Sequence, residues 1–279
     1  MSDRAAHPTQ RPLPWRRRTV AALGVAVALV LAGCGTSREI RIGISLDEPG
    51  LGMRTGNGYS GFDVDVARYV AARLGYSSDE IRFVQVHSAD REGLVRTGQV
   101  TLVVATYSIT DWRTRSVSFA GPYFLAGQGL LVRTDTTDVT GPASLSGHTV
   151  CTARGSTSAS RVKSMVAGVV LQEDATYTQC VDSLVAGSVD AVTTDDVILA
   201  GYASDPRYKG KVRVVGRTFS QERYGIAFTS GDTALCTKVT DAIRAMISDG
   251  SWQRFATSSF GPRGFRPDPG NPPTPDACP

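Results

Sequence analysis

Histidine is nearly missing from this chain: there are three in 279 residues, His7, His87 and His148, set far apart. No Cys-x-x-Cys pair stands in for them, so the clustered ligands of a metal site are not present. We expect no metal and no cofactor. A His-activated nucleophile is lacking for the same reason. Long apolar stretches are lacking too. The run Val20 to Val30 falls well short of the roughly 20 residues that a membrane-spanning helix needs. An excess of one charge is the last absence. Of 30 Lys+Arg, five (Arg4, Arg11, Arg16, Arg17, Arg18) lie in residues 1–33, as does one of the 26 acids, Asp3, which leaves 25 of each sign beyond. A nucleic-acid partner calls for a basic surplus on the folded part, and none remains.

What the leader does contain is orderly. Arg16-Arg17-Arg18 precede the short apolar run, and small residues follow it, the order of an export signal. Leu31-Ala32-Gly33-Cys34 resembles the bacterial lipobox, in which the Cys is lipidated and becomes the mature N-terminus. That resemblance implies a cleaved lipoprotein signal over residues 1–33, a tether over 34–38, and attachment to the outer face of the cell membrane by a palmitate-bearing Cys34. The remaining cysteines are Cys151, Cys180, Cys236 and Cys278. An even number in an exported protein suggests disulfides. Three pairings are open; Cys151–Cys180 and Cys236–Cys278 are favoured because each staples one local region, at about 2–4 kcal/mol apiece.

After the leader, hydrophobic periods of two and of 3.6 alternate. Ile40, Ile42 and Ile44 read as a strand, and Val64, Ala67, Val70, Ala71 and Leu74 as a helix stopped at Gly75. Ile81–Val86 and Val100–Ala105 read as strands around a short helix, Asp90–Thr97. The rhythm resumes with a strand at Thr149–Thr152, helices at Thr157–Val166 and Tyr177–Ala186, a strand at Asp190–Thr193 and a helix at Val197–Tyr202. Such alternation implies an α/β protein with parallel sheets covered on both faces. Two longer extended runs, Tyr123–Arg133 and Arg223–Thr229, break the rhythm. Read as crossovers, they make a two-lobe protein with a cleft between. Lobe 1 comprises residues 39–128 and 226–261, and lobe 2 residues 129–225. From Pro262 the chain is too rich in proline for a helix or a central strand, so 262–279 is a surface tail pinned by Cys278.

Three stretches carry chemistry. Gly61-Phe62-Asp63-Val64-Asp65 opens the first helix with acids that complement its dipole, a helix start without ligand contact. Ala105-Thr106-Tyr107-Ser108-Ile109-Thr110-Asp111-Trp112-Arg113 sets hydroxyls past the end of a buried strand, where α/β sheets hold ligands. Arg113 is placed there to grip a carboxylate by two parallel hydrogen bonds, or else to make a surface ion pair. Gly155-Ser156-Thr157-Ser158 is a helix N-terminus with free amides. Asp195 and Asp196 read on their own as helix N-caps.

Gly-Phe-Asp-Val-Asp, Ser-Ile-Thr-Asp-x-Arg and Phe-Ala-Gly-Pro-Tyr, in this order behind a lipobox, resemble the polar amino-acid-binding proteins of ABC importers, solute-binding family 3. Thr193-Thr194-Asp195-Asp196 and the Ala-Thr-Tyr-Ser-Ile-Thr run bring the chain nearest the actinobacterial glutamate-binding branch. The resemblance covers residues 39–260 and implies the periplasmic-binding-protein type II fold, two lobes with mainly parallel sheets joined by two crossover strands. It implies a monomeric receptor, not an enzyme, that binds glutamate, with glutamine, aspartate and asparagine next, and hands it to ABC permease subunits. On that resemblance Arg113, Ser108 and Thr106 hold the ligand from lobe 1, while Ser156, Thr157 and Asp195 meet it from lobe 2. For the ligand side chain, Arg91, Arg54 and Arg154 are candidates for a distal carboxylate and Glu48 for an amide. The sequence departs from the family pattern at Thr106, where Gly is frequent, at Trp112, where Glu is frequent, and at Thr101, where Asp is frequent. Two same-fold alternatives are a sensor lipoprotein that signals to a membrane partner, and a cyclohexadienyl dehydratase with Glu48 or Glu173 as its acid.

Overall fold

The computed structural model describes Met1 and residues 38–56 and 58–278. The export signal apart from Met1, Cys34 and all of the tether except Arg38 lie outside the described residues. No helix of the described residues is long and apolar enough to cross a membrane. Residues 37–279 form one compact unit.

The first part of the chain holds strands β1 (Ile40–Ile44), β2 (Asp47–Glu48), β3 (Gly52–Thr55) and β4 (Gly58–Ser60), helix α1 (Phe62–Arg73), β5 (Ile81–Gln85), α2 (Arg91–Arg96), β6 (Leu102–Val103) and β7 (Ser118–Ala126). The middle holds β8 (Gln128–Arg133), β9 (Thr149–Ala153), α3 (Thr157–Met165), β10 (Val170–Asp174), α4 (Tyr177–Val185), β11 (Ala191–Asp195), α5 (Asp196–Ser204) and β12 (Val212–Val215). The chain then returns through β13 (Glu222–Phe228) and ends in α6 (Thr233–Ser248) and α7 (Ser251–Phe260).

Two five-stranded sheets result, β5-β1-β6-β13-β7 and β10-β9-β11-β8-β12, with a small β2-β3-β4 sheet beside them. Their layouts match: three parallel strands, then an antiparallel one, then an edge strand. This is a two-lobe α/β architecture with one five-stranded sheet to each lobe. The sheets are mixed rather than mainly parallel. In each, one crossover-related strand, β13 or β8, runs against its neighbours on both sides. A strand that arrives from the other lobe enters its sheet from the opposite end, which reverses its direction.

The helices form where the apolar spacing predicts, because each must cover a sheet face. Val64, Val66, Ala67, Val70 and Ala71 of α1 are fully buried. Beneath them Phe62 meets Phe124, Trp252 and Phe260 in edge-on and tilted contacts, geometries that suit the ring quadrupole. The Trp252 indole donates to the Tyr123 carbonyl at 2.8 Å, which ties α7 to β7. The strand read over Val100–Ala105 is regular only at Leu102–Val103; the rest bends away to build the site. Among the described residues the tail has no helix or strand beyond residue 263. Asn271 bonds both backbone groups of Leu125, and Arg223 pairs with Asp276. Disulfides join Cys151 to Cys180 and Cys236 to Cys278.

Candidate functional site

A hollow lies between α7 and the tail, and no buried unpaired polar atom of the described residues belongs to its lining. A second cavity is different. It is lined by Ser88, Arg91, Thr106, Ser108, Arg113, Ser156, Thr157, Ser158, Tyr177, Asp195 and Ile198. Every lining residue follows a strand or opens a helix: Ser88 and Arg91 after β5, Thr106 to Arg113 after β6, Ser156 to Ser158 after β9, Tyr177 after β10, Asp195 at the end of β11. Carboxyl ends of strands thus converge from both sheets, the usual place for a ligand in an α/β protein.

Arg113 is the anchor on one side. It is 1% exposed. Its Nη1 donates to the Ser108 carbonyl at 2.8 Å and its Nη2 to the Gly155 carbonyl, on the other lobe, at 3.0 Å. The guanidinium lies over the Tyr107 ring at 4.6 Å and beside Trp112 at 4.8 Å. Glu92 Oε1 stands 3.5 Å from Arg113 Nε, yet neither atom has a hydrogen-bond partner. Burial and the neighbouring Arg91 bring its pKa down to about 10, so it is still a cation at neutral pH.

Asp195 faces it from the second lobe. It stands at the N-cap of α5 but makes no side-chain cap bond; Asp196 instead accepts from the Val197 and Gly127 amides. The Tyr224 hydroxyl donates to Asp195 Oδ2 at 2.6 Å, while Oδ1 is buried without a partner. Burial pushes this carboxyl up to about 8, Glu222 adds to the rise, and the Tyr224 bond opposes it. One cavity therefore holds a desolvated cation and a desolvated acid, each with an unused hydrogen-bonding atom. Buried groups of this kind call for partners. A small zwitterion with a carboxylate at one end and an ammonium at the other supplies both.

The hydroxyls complete the lining. Ser156 caps α3 by accepting from the Ala159 amide at 3.2 Å. The Thr157 hydroxyl donates to Glu222 Oε2 at 3.1 Å, and Arg161 pairs with Oε1 of the same acid. Arg91 is buried, donates to the Ala105 carbonyl at 2.8 Å and stacks 4.1 Å above Tyr107. Of the three arginines read as candidates for the ligand side chain, Arg91 alone lines the cavity; Arg54 is exposed on β3, and Arg154 is exposed and donates to the Glu173 carbonyl. Glu48 does not line it either. It sits behind Thr106, whose hydroxyl donates to it at 3.2 Å. Burial raises its pKa, and Asp47 and Asp63 add to the rise.

Several contributors have no signature in the sequence. Tyr177, Ser88 and Ile198 line the cavity, and Tyr224 and Glu222 hold the side that carries Asp195 and Thr157. Only extended patterning marks Tyr224 in a sequence; its partner Asp195 is 29 residues away. The lobes meet outside the cavity as well. The Tyr202 hydroxyl donates to the Asp47 carbonyl at 2.8 Å, and a Cβ on Gly201 would collide with the Pro49 carbonyl.

Residues 40–262 match the sequence profile of the bacterial extracellular solute-binding proteins, family 3. The chain is 40% identical over 269 residues to the glutamate-binding protein GluB of Corynebacterium efficiens, covering 88% of this chain and 91% of that protein. It is 33% identical over 220 residues to the glutamine-binding protein of Geobacillus stearothermophilus, covering 75% and 82%. Among solved structures, an ancestral arginine-binding protein bound to glutamine superposes with a TM-score of 0.75 at 32% identity, over 80% of this chain and 98% of that one.

Proposed function

The chain belongs to the bacterial extracellular solute-binding proteins of family 3, and from that premise we propose that it is a receptor for a free polar amino acid, L-glutamate first, which it delivers to an ABC importer. The observation that carries this reading is the pairing, in one cavity, of the buried Arg113 cation with the partnerless Asp195 Oδ1. Arg113 takes the ligand α-carboxylate with help from Ser108 and the Ser156–Thr157 turn. Asp195 and Thr106 take the α-ammonium. Arg91 is the group left over, and a second cation beside a ligand favours a distal carboxylate over an amide.

In this reading, residues 39–128 with 226–261 and residues 129–225 are lobes that close on the ligand about β7–β8 and β13. The closed form alone presents a matched surface to the permease, so the amino acid shifts a two-state equilibrium. Cys34 carries the lipid that holds the receptor at the membrane face. The names of the corynebacterial and Geobacillus relatives support an acidic or amide side chain. A dehydratase would need a general acid in the cleft; Glu173 is engaged by Lys163 at 2.6 Å and, like Glu48, is outside the lining. Titration calorimetry of the full chain in detergent against the twenty amino acids tests the proposal. Micromolar or tighter binding of glutamate, glutamine, aspartate or asparagine supports it, and binding of none of the twenty overturns it.

A further inference from the structure

Thr106 is the single residue other than glycine with a positive φ among the described residues, at 45°. A Cβ disfavours that left-handed conformation, so something must hold it. Thr106 lines the cavity beside Ser108 and Arg91. Its amide donates to Asp63 Oδ2 at 2.8 Å, and the Tyr123 hydroxyl donates to Asp63 Oδ1 at 2.9 Å. Asp63 is 1% exposed and lies on the first turn of α1, 43 residues from Thr106 in sequence. It makes no bond to the helix's own amides and does not line the cavity. Both its oxygens are spent on the floor beneath Thr106.

We infer that Asp63 is a positioning residue for ligand recognition, whose carboxylate, steadied by Tyr123, holds Thr106 in its left-handed conformation and so sets the first-lobe floor of the cavity. The inference rests on the receptor reading above. Glu48 serves the same end from the side-chain direction: by accepting from the Thr106 hydroxyl it leaves the lone pairs of that oxygen to the ligand. The helix start Gly61-Phe62-Asp63 is thus part of the binding apparatus at one remove. Without the clamp, Thr106 relaxes toward negative φ, and the ligand has to restore the strained geometry as it binds.

A mutant cycle separates this role from a merely structural one. The full chain in detergent is titrated with L-glutamate as wild type, Asp63→Ala, Thr106→Gly and the double variant. Asp63→Ala is expected to weaken binding about tenfold, the scale of one strained backbone residue. Glycine adopts positive φ without strain, so in the Thr106→Gly background the same change should cost less than about threefold. Should Asp63→Ala not fold, Tyr123→Phe, which removes only the donor to Oδ1, takes its place, with a several-fold loss expected and the same rescue by glycine. Equal losses in both backgrounds would overturn the inference while the receptor reading stands. Failure of the wild type to bind any of the twenty amino acids would bring down both.

Discussion

Replacing Arg113 by methionine keeps the volume of the side chain and removes its charge. The guanidinium satisfies the Ser108 and Gly155 carbonyls at 2.8 and 3.0 Å. Orphaning two buried carbonyls costs about 1–3 kcal/mol each if they stay dry. Against that, the substitution removes a cation already disfavoured by burial and by Arg91, which offsets part of the loss, but it also leaves Glu92 without the cation 3.5 Å away. The effect on binding is a separate quantity. A ligand carboxylate buried opposite a missing partner costs about 3–5 kcal/mol, or roughly two to four decades in the dissociation constant. Urea denaturation measures the first quantity and calorimetry with L-glutamate the second. A dissociation constant within threefold of wild type, in a variant that melts normally, would refute the assignment of Arg113.

Three further outcomes are expected. Gly201→Ala places a methyl against the Pro49 carbonyl where the lobes meet; overpacking of about 1–3 kcal/mol should weaken glutamate binding at least fivefold, and small-angle scattering with saturating ligand should show incomplete closure. Asp195, pushed up to about 8, is largely protonated at pH 7 in the unliganded cavity, so pairing with an ammonium should release a proton and affinity should rise from pH 6 to 8, read from calorimetry in buffers of different ionisation enthalpy. Its linkage to folding has the opposite sign: between the ordinary value of 3.8 and about 8 the native state holds a proton that the unfolded chain has lost, so this group lowers unliganded stability as pH rises through that window, and Asp195→Asn should flatten the melting profile there. Replacing both Cys151 and Cys180 by alanine opens a bridge across 29 residues and should cost about 2–4 kcal/mol in urea denaturation while glutamate binding persists.

The fold was legible where one physical demand dominates. Buried helix faces and buried strands print their periods in the sequence, so α1, β1, β5, α4 and β11 stand close to where apolar spacing sets them. The hairpin β2–β4 and strands β10 and β12 escaped because they are short or half-exposed, and their residues answer to no single period. The lining residues Arg113, Ser108, Thr106, Ser156, Thr157 and Asp195 follow from the motif pattern. Glu48 is by residue type a candidate for a ligand amide, but it sits buried behind Thr106 and outside the lining. What the pattern cannot carry is partnership at a distance. Asp63 looks like an ordinary first-turn acid until the fold sets it against an amide 43 residues away.

The same limit explains why the returning strand β13 looked like plain extended chain. Glu222 and Tyr224 are two residues apart, so they project from one face of that strand. Glu222 accepts from Thr157 and Arg161 at the start of α3, and Tyr224 donates to Asp195 at the end of β11. Strand β13 itself is hydrogen-bonded into the first sheet beside β7. Thr157 and Asp195 are therefore held by side chains of a strand that is hydrogen-bonded into the first five-stranded sheet. A rotation that separated the sheets would strain or break these bonds as it pulled Ser156, Thr157 and Asp195 from Arg113. In the proposed receptor, closure and the placement of the countercharges would be one set of interactions, carried by the strand that connects the lobes.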